Sequence, residues 1–225
     1  MFEHQPLLFV RVLANEPFTF VQRFACLRCT LKCEVLMHHW KVIILFLQVT
    51  TFADMSLAIC HDGYLFGWGN SEYFQLGSIT DDSQVHTPRR LPFNQVGKIV
   101  DAAAGGTICC LLNEHGEVWV WGYGILGKGP DLSDCKYPEP LPMTLFGQSA
   151  FSPDVKVKKV KCGMHHFAAI NNKSELFTWG KNKAGSLGIA KLRNQYFPWK
   201  VLVPAPVIDV SCGVDHMIII ARSIV

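Results

Sequence analysis

One phrase occurs three times in this chain, and a sequence built that way folds as a set of like units set side by side. Its clearest copy is residues 163–188, GMHHFAAINNKSELFTWGKNKAGSLG. It holds a glycine, a short apolar run, a polar turn, a second apolar run closed by Trp179-Gly180, and a loop ending at Gly188. Residues 105–122 (GGTICCLLNEHGEVWVWG) and 52–77 (FADMSLAICHDGYLFGWGNSEYFQLG) follow the same order. The tryptophan stands 16 residues after the opening position each time: Phe52 to Trp68, Gly105 to Trp121, Gly163 to Trp179. A fourth copy opens at Gly213 and runs into the end of the chain. Tryptophan-to-tryptophan periods of 53 and 58 residues fall in the range of propellers and solenoids.

Within a copy the periodicity is that of strands. Ser56–Cys60 and Tyr64–Trp68 flank His61-Asp62-Gly63, a hairpin signal with glycine at the left-handed position. Thr107–Leu112 and Glu117–Trp121 do the same around residues 113–116, and His166–Ile170 and Glu175–Trp179 around residues 171–174. Proline-containing polar links (residues 86–90, 138–142 and 198–206) each lead to a further apolar strand, over Lys98–Ala103, Val155–Lys161 and Pro206–Ser211. About four short strands per period, with almost no helical pattern, make a propeller blade. The expected fold is therefore all-β: a β-propeller of four-stranded blades, about three and a half of them, over residues 49–97, 98–154, 155–205 and 206–225. The repeated residues have structural reasons. Gly105, Gly163 and Gly213 at the strand entries let blades approach closely near the axis. Trp68, Trp121 and Trp179 fill the space between facing sheets. Gly69, Gly122 and Gly180 permit the sharp exit from the blade, and Gly77 and Gly188 bound the loop after it.

An apolar share of 49% with 17% charged residues is enough to bury a core. The net charge of +3 splits as about +2 over residues 1–48 and +1 over the rest, so no strongly basic nucleic-acid face is implied. The nine cysteines are odd in number and lie mostly inside apolar runs (Cys60, Cys109, Cys110, Cys162, Cys212). That pattern fits buried free thiols in a reducing compartment. No apolar run approaches 18 residues, so no transmembrane segment is expected.

Residues 1–48 carry no copy of the phrase and read as a separate segment. Their start lacks the early positive charge of a signal peptide and the Arg and Ser enrichment of a transit peptide. Ile-Leu-Phe-Leu-Gln48 is what a pyrimidine-rich tract ending in CAG encodes, the form in which an intron ends. We hypothesise that the segment is a gene-model or splice artefact, or an alternative start. An uninterrupted spliced transcript across Gln48 would sink that idea.

G-x-x-H (Gly163-Met-His-His166, Gly213-Val-Asp-His216), L-F-x-W-G (residues 65–69 and 176–180) and Q-L-G (residues 75–77) together resemble the repeats of the regulator of chromosome condensation family. The resemblance covers Val49 to about Ala221. Asn70-Ser-Glu-Tyr and the closing Cys212-Gly-Val-Asp-His-Met are similar to a mitochondrial G-exchanging member. It implies a seven-bladed propeller that promotes guanine-nucleotide exchange on a small or dynamin-like GTPase, in mitochondria, with peripheral membrane association and no covalent chemistry. The copies depart from the pattern in places: Phe52 and Met55 replace Gly and His in the first, and Ile108 replaces His in the second. About three and a half blades would leave two open sheet edges, a route to self-association.

Candidate chemistry is sparse. Residues 122–129, GYGILGKG, satisfy G-x-G-x-x-G and all but the last position of a phosphate-binding loop. Gly129 replaces the Mg²⁺-holding Ser/Thr and no helical run follows, so blade-turn glycines explain it better. Cys26, Cys29 and Cys33 with His38 and His39 have zinc-ligand chemistry but lack a second pair at finger spacing, so no metal or cofactor is expected. His166 and His216, at matching repeat positions, are expected to hydrogen-bond backbone inside the blade. Asp215-His216 has no nucleophile placed by an elbow motif, so no hydrolase triad is supported. Lys156 and Lys158 fall on one side of a strand that reads as a solvated outer edge, with an acidic partner or RNA phosphates as the functional alternative. Phe146, Phe151 and Asp154, on the long link 142–154, are candidate partner contacts because long loops on a rigid scaffold are where function sits. Two functions remain: a GTPase exchange module, and a scaffold for RNA or ribosome-assembly partners that uses the basic edge.

Overall fold

The computed structural model describes the backbone of residues 8–10, 22–24, 31–37, 40–77, 83–131 and 133–223. Side chains are described within those ranges from Phe46 onward, Ser133 excepted. Among these residues the chain is strand and turn, with three short 3-10 helices and no α-helix. The first sheet runs in order through β1 (Leu8–Val10), β2 (Gln22–Phe24), β3 (Leu31–Met37), β4 (Trp40–Phe52), β5 (Met55–Cys60), β6 (Leu65–Asn70) and β7 (Gln84–Arg90). The second holds β8 (Ile99–Ala104), β9 (Ile108–Asn113), β10 (Val118–Gly124) and β11 (Ser133–Pro140). The third holds β12 (Val157–Cys162), β13 (His166–Asn171), β14 (Leu176–Gly180) and β15 (Gln195–Lys200). The fourth pairs β16 (Val207–Cys212) with β17 (Met217–Ala221). All pairings are antiparallel, and the four-stranded sheets are propeller blades that do not close into a ring.

The strands fall within one to three residues of their expected spans, because alternating apolar residues between turn signals leave little choice of register. The proline links differ. They form β7, β11 and β15, the outermost strand of each blade, where a missing N–H faces outward and Pro88, Pro138 and Pro198 are tolerated.

The lysine-bearing strand is also corrected. β12 lies at the inner side of its blade, packed beside β8 and β16, and is not an outer edge. Every inner strand carries a bulge at the same point, so that Leu47, Val100, Lys158 and Ile208 are skipped by the pairing. Three of them are apolar yet about half exposed: Leu47 50%, Val100 47%, Ile208 52%. The next residue reaches the neighbouring blade. Gln48 Nε2 donates to Asp101 Oδ1 (2.7 Å) and Ala102 O (3.0 Å). Asp101 Oδ2 accepts from Val160 N (3.0 Å), and Lys159 Nζ donates to Asp209 Oδ1 (2.8 Å). Phe46 and Gln48 therefore occupy repeat positions of the first blade, and the expected boundary between residues 48 and 49 falls inside β4.

Between blades the core is continuous. Trp121 is buried, donates from Nε1 to Gln75 O (2.7 Å) and meets Phe93 edge-on. Trp179 is buried one blade later, donates to Leu126 O (3.2 Å), stacks on Phe167 at 4.9 Å and meets Phe146 edge-on. Each ring thus plugs into the loop of the blade before it. Trp68 is half-buried, against Phe46, Ala58 and Cys60. Glycines set the spacing near the axis. A side chain at Gly105 would start 2.5 Å from Gly163 O, and one at Gly163 would start 2.4 Å from Gly213 O. At the far end Ile218 and Ile220 are exposed on β17, which pairs only with β16 among the described residues.

Candidate functional site

Antiparallel strands send successive turns to alternate ends of a blade, which gives the structure two rims. The first rim carries the turns after the inner strands and the loops after the tryptophans. On it the same backbone contact occurs three times: Asn70 N to Asp54 O, Tyr123 N to Thr107 O and Lys181 N to His165 O, each 2.8 Å. The glycine before each donor makes this possible. Gly69, Gly122 and Gly180 have φ of 103°, 100° and 112°, and a Cβ would stand 2.0–2.5 Å from the accepting carbonyl. The scaffold repeats, but the side chains it presents do not: Asp54, Thr107, His165 and Asp215 on the turns, Asn70, Tyr123 and Lys181 opposite. A repeated frame displaying unlike chemistry is how a propeller acquires specificity.

These residues surround a cavity of about 250 Å³ lined by Tyr73, Thr107, Tyr123, Ile125, His165 and Lys181. Tyr73 and Tyr123 stack at 5.9 Å and remain partly exposed. Gln75 orients the first ring's loop, accepting from Tyr73 N (2.9 Å) and donating to Gly106 O (3.2 Å). Beside the cavity Lys183 donates to Asp215 (3.1 Å). Burial holds His165 below the ordinary histidine range; Lys181 and Lys183 add to that, and Asp215 opposes it. The result is a neutral imidazole beside a cation and two aromatic faces, chemistry that suits a planar or acidic group; the Thr107 hydroxyl in the lining donates to Tyr123 O (2.7 Å).

The residues expected to touch a partner do not gather here. Phe151 (99% exposed), Asp154 and Lys156 lie at the opposite rim. Lys158 is the exposed bulge of β12 on the inner side. Phe146 is corrected outright: it is fully buried against Phe177 and Trp179, so a partner cannot reach it. The 3-10 helix Met143–Phe146 folds that part of the link back onto its blade.

His166 is buried and hydrogen-bonds the His216 backbone of the next blade, while its Nε2 has no hydrogen-bond partner and its ring lies over Gly163. His216 covers Gly213 in the same way yet is exposed. The glycine-rich run 122–129 is a blade exit and loop; Gly127 lies against the Trp179 ring and Lys128 pairs with Glu139. The Cys26, Cys29, Cys33, His38 and His39 side chains lie outside the described residues. Among the described residues no group of three His, Cys, Asp or Glu is placed to hold a metal ion, and no helix is long and apolar enough to cross a membrane.

Half-buried His165 and buried His166 predict a pH dependence. Burial lowers the pKa of both His165 and His166. Below about pH 6.5 the unfolded chain then binds more protons than the native one, and stability falls as pH falls, by up to about 1.4 kcal/mol per pH unit for each group. Melting between pH 7.5 and 5.5 reads this. The pair His165→Asn and His166→Asn should flatten the slope whatever it does to the level, and an unchanged slope contradicts the assignment.

The sequence model of the regulator of chromosome condensation (RCC1) repeat matches residues 62–112, 115–170 and 173–220. The chain belongs to the regulator of chromosome condensation repeat family. Over 179 residues it is 56% identical to the human RCC1-like G exchanging factor-like protein, covering 80% of this chain and 39% of that one. The crystal structure of human WBSCR16 superposes with a TM-score of 0.81 at 42% identity, over 94% of this chain and 60% of its own. Prp20p from Saccharomyces cerevisiae shares the fold, with a TM-score of 0.66 at 16% identity over 95% of this chain and 58% of its own. This member of the repeat family thus spans about two-fifths of the human relative's length.

Proposed function

We propose that this chain is a guanine-nucleotide exchange module whose first rim holds a GTPase. The carrying observation is the rim cavity, where the stacked Tyr73–Tyr123 pair, neutral His165 and Lys181 stand on a backbone frame repeated from blade to blade. Support comes from the 56% identity to a protein named as a G exchanging factor-like protein and from the fold shared with Prp20p, whose structure was described with its binding to Gsp1p and histones. Exchange needs no covalent step. A module that binds the nucleotide-free GTPase better than the loaded form shifts the population toward release by that difference in affinity. The proposal includes a mitochondrial location, which fractionation of tagged protein reads directly.

The test is binding of small and dynamin-like GTPases in nucleotide-free and GDP-loaded forms. Preference for the nucleotide-free form, lost in the double variant Tyr123→Ala and Lys181→Glu, supports the reading. Equal affinity for both forms contradicts it. The scaffold alternative has Lys156 and Lys158 as its exposed cations, since Lys159 is engaged by Asp209. It predicts RNA binding that weakens steeply as salt rises.

A further inference from the structure

A second piece of chemistry lies where β10 passes into β11. Lys128 Nζ donates to Cys135 Sγ at 3.3 Å, the thiol donates to Glu139 Oε1 at 3.3 Å, and Lys128 and Glu139 form an ion pair. Lys128 belongs to the loop after the rim, while Cys135 pairs with Gly122 and Glu139 with Val120 on the outermost strand. An amine, a thiol and a carboxylate therefore meet at the base of one loop. Cys135 is 7% exposed, and the lysine and glutamate side chains are more open, so a small oxidant has a path. The other buried thiols differ. Cys109, Cys110 and Cys162 are enclosed in the core, and the Sγ atoms of Cys110 and Cys162 lie 3.5 Å apart with no cation beside them.

We propose that Lys128 and Cys135 are joined, under peroxide, by a single oxygen atom in a covalent Nζ–O–Sγ crosslink that closes the loop between them. The steps balance. The thiol sulfur attacks one hydrogen peroxide; an S–O bond forms, the O–O bond breaks, and Cys135 becomes a sulfenic acid with release of water. The Lys128 amine attacks a second peroxide in the same manner and becomes a hydroxylamine, again releasing water. The hydroxylamine oxygen then attacks the sulfenic sulfur, forming the S–O bond of the bridge and expelling the sulfenic hydroxyl as a third water. Sulfur and nitrogen each give up two electrons, and the two peroxides accept them. Glu139 positions both partners: it accepts from the thiol and pairs with the ammonium, so it takes the proton each must lose before attacking. Burial raises the Cys135 thiol pKa, Lys128 lowers it and Glu139 raises it again, so the thiol is mostly protonated and the carboxylate already in hydrogen-bond contact is where its proton goes. The product pins the loop carrying Ile125, part of the rim cavity, to the outer strand.

Trypsin reads the result. Without the bridge the enzyme cuts after Lys128 and Lys136; with it, cleavage at Lys128 is blocked. The full chain, treated with hydrogen peroxide and then with an alkylating agent, is expected to yield a peptide over residues 99–136 that is about 14 Da heavier than the same uncut sequence alkylated at Cys109 and Cys110 only, one oxygen gained and two hydrogens lost. A thiol reductant should restore the cut. Lys128→Arg keeps the ion pair but removes the primary amine, and Cys135→Ser removes the sulfur; each should abolish the species, and Glu139→Gln should slow it several-fold. Normal cleavage at Lys128, with Cys135 either unmodified or carrying about 32 Da as sulfinic acid, overturns the proposal. So does a 14-Da species that survives in Lys128→Arg. Peptide mass depends on no GTPase, so this test stands apart from the exchange reading.

Discussion

Trp179→Ala is expected to lower the unfolding free energy by about 3–5 kcal/mol, the range for truncating a buried aromatic. The ring is wholly buried, stacks on Phe167, meets Phe146 edge-on and satisfies Leu126 O across a blade boundary. Truncation opens a cavity between blades and leaves that carbonyl without its donor, which adds to the loss. Trp68→Ala removes the residue of the same rank in the first blade, where it is half-buried, and should cost well under half as much. Urea denaturation of the two variants beside wild type checks this. Equal shifts in midpoint would mean that the repeat position, and not the inter-blade packing, sets the cost.

Gly163→Val should be at least as damaging, about 3 kcal/mol or more, for a reason unrelated to backbone freedom. Gly163 needs no left-handed conformation; its missing side chain is the space taken by Gly213 O and the His166 ring, at 2.4 and 2.2 Å from where Cβ would begin. The carbonyl belongs to the next blade's backbone and cannot rotate away, so the substitution must part the third blade from β16 and β17. Gly97→Ala is the control. It has open space but φ of 79° with ψ of −153°, a region that favours glycine, so local strain of about 1–3 kcal/mol with no parting of blades is expected. A Gly163→Val protein that melts like Gly97→Ala would refute the close approach.

The blades were legible because the glycine-to-tryptophan phrase sets strand number, turn position and inward face together. What misled was chemistry that two environments share. Proline and polar residues mark both a loop and an outermost strand, so β7, β11 and β15 looked like links. Alternating lysines mark both an outer edge and an inner strand, and only the sheet order places β12 inside. Phe146 lies on a link, where an aromatic reads as a contact, yet the 3-10 turn buries it. Phe46 and Gln48 precede the phrase and share no letters with Ile99 and Asp101; their equivalence lies in the bulge they flank, which is backbone geometry. The rim cavity was hidden for the opposite reason. Tyr73, Tyr123, His165 and Lys181 come from three repeats and differ from their counterparts, so a search for sameness passes over them.

The measurement that tests this account most directly is release of a fluorescent GDP analogue from a panel of small and dynamin-like GTPases. It requires wild type, the first-rim variant Tyr123→Ala with Lys181→Glu, and the opposite-rim variant Phe151→Ala with Lys156→Glu. The account predicts that wild type accelerates release from at least one GTPase at least tenfold, that the first-rim variant loses this, and that the opposite-rim variant keeps it. No acceleration on any GTPase, or loss confined to the opposite-rim variant, would contradict it.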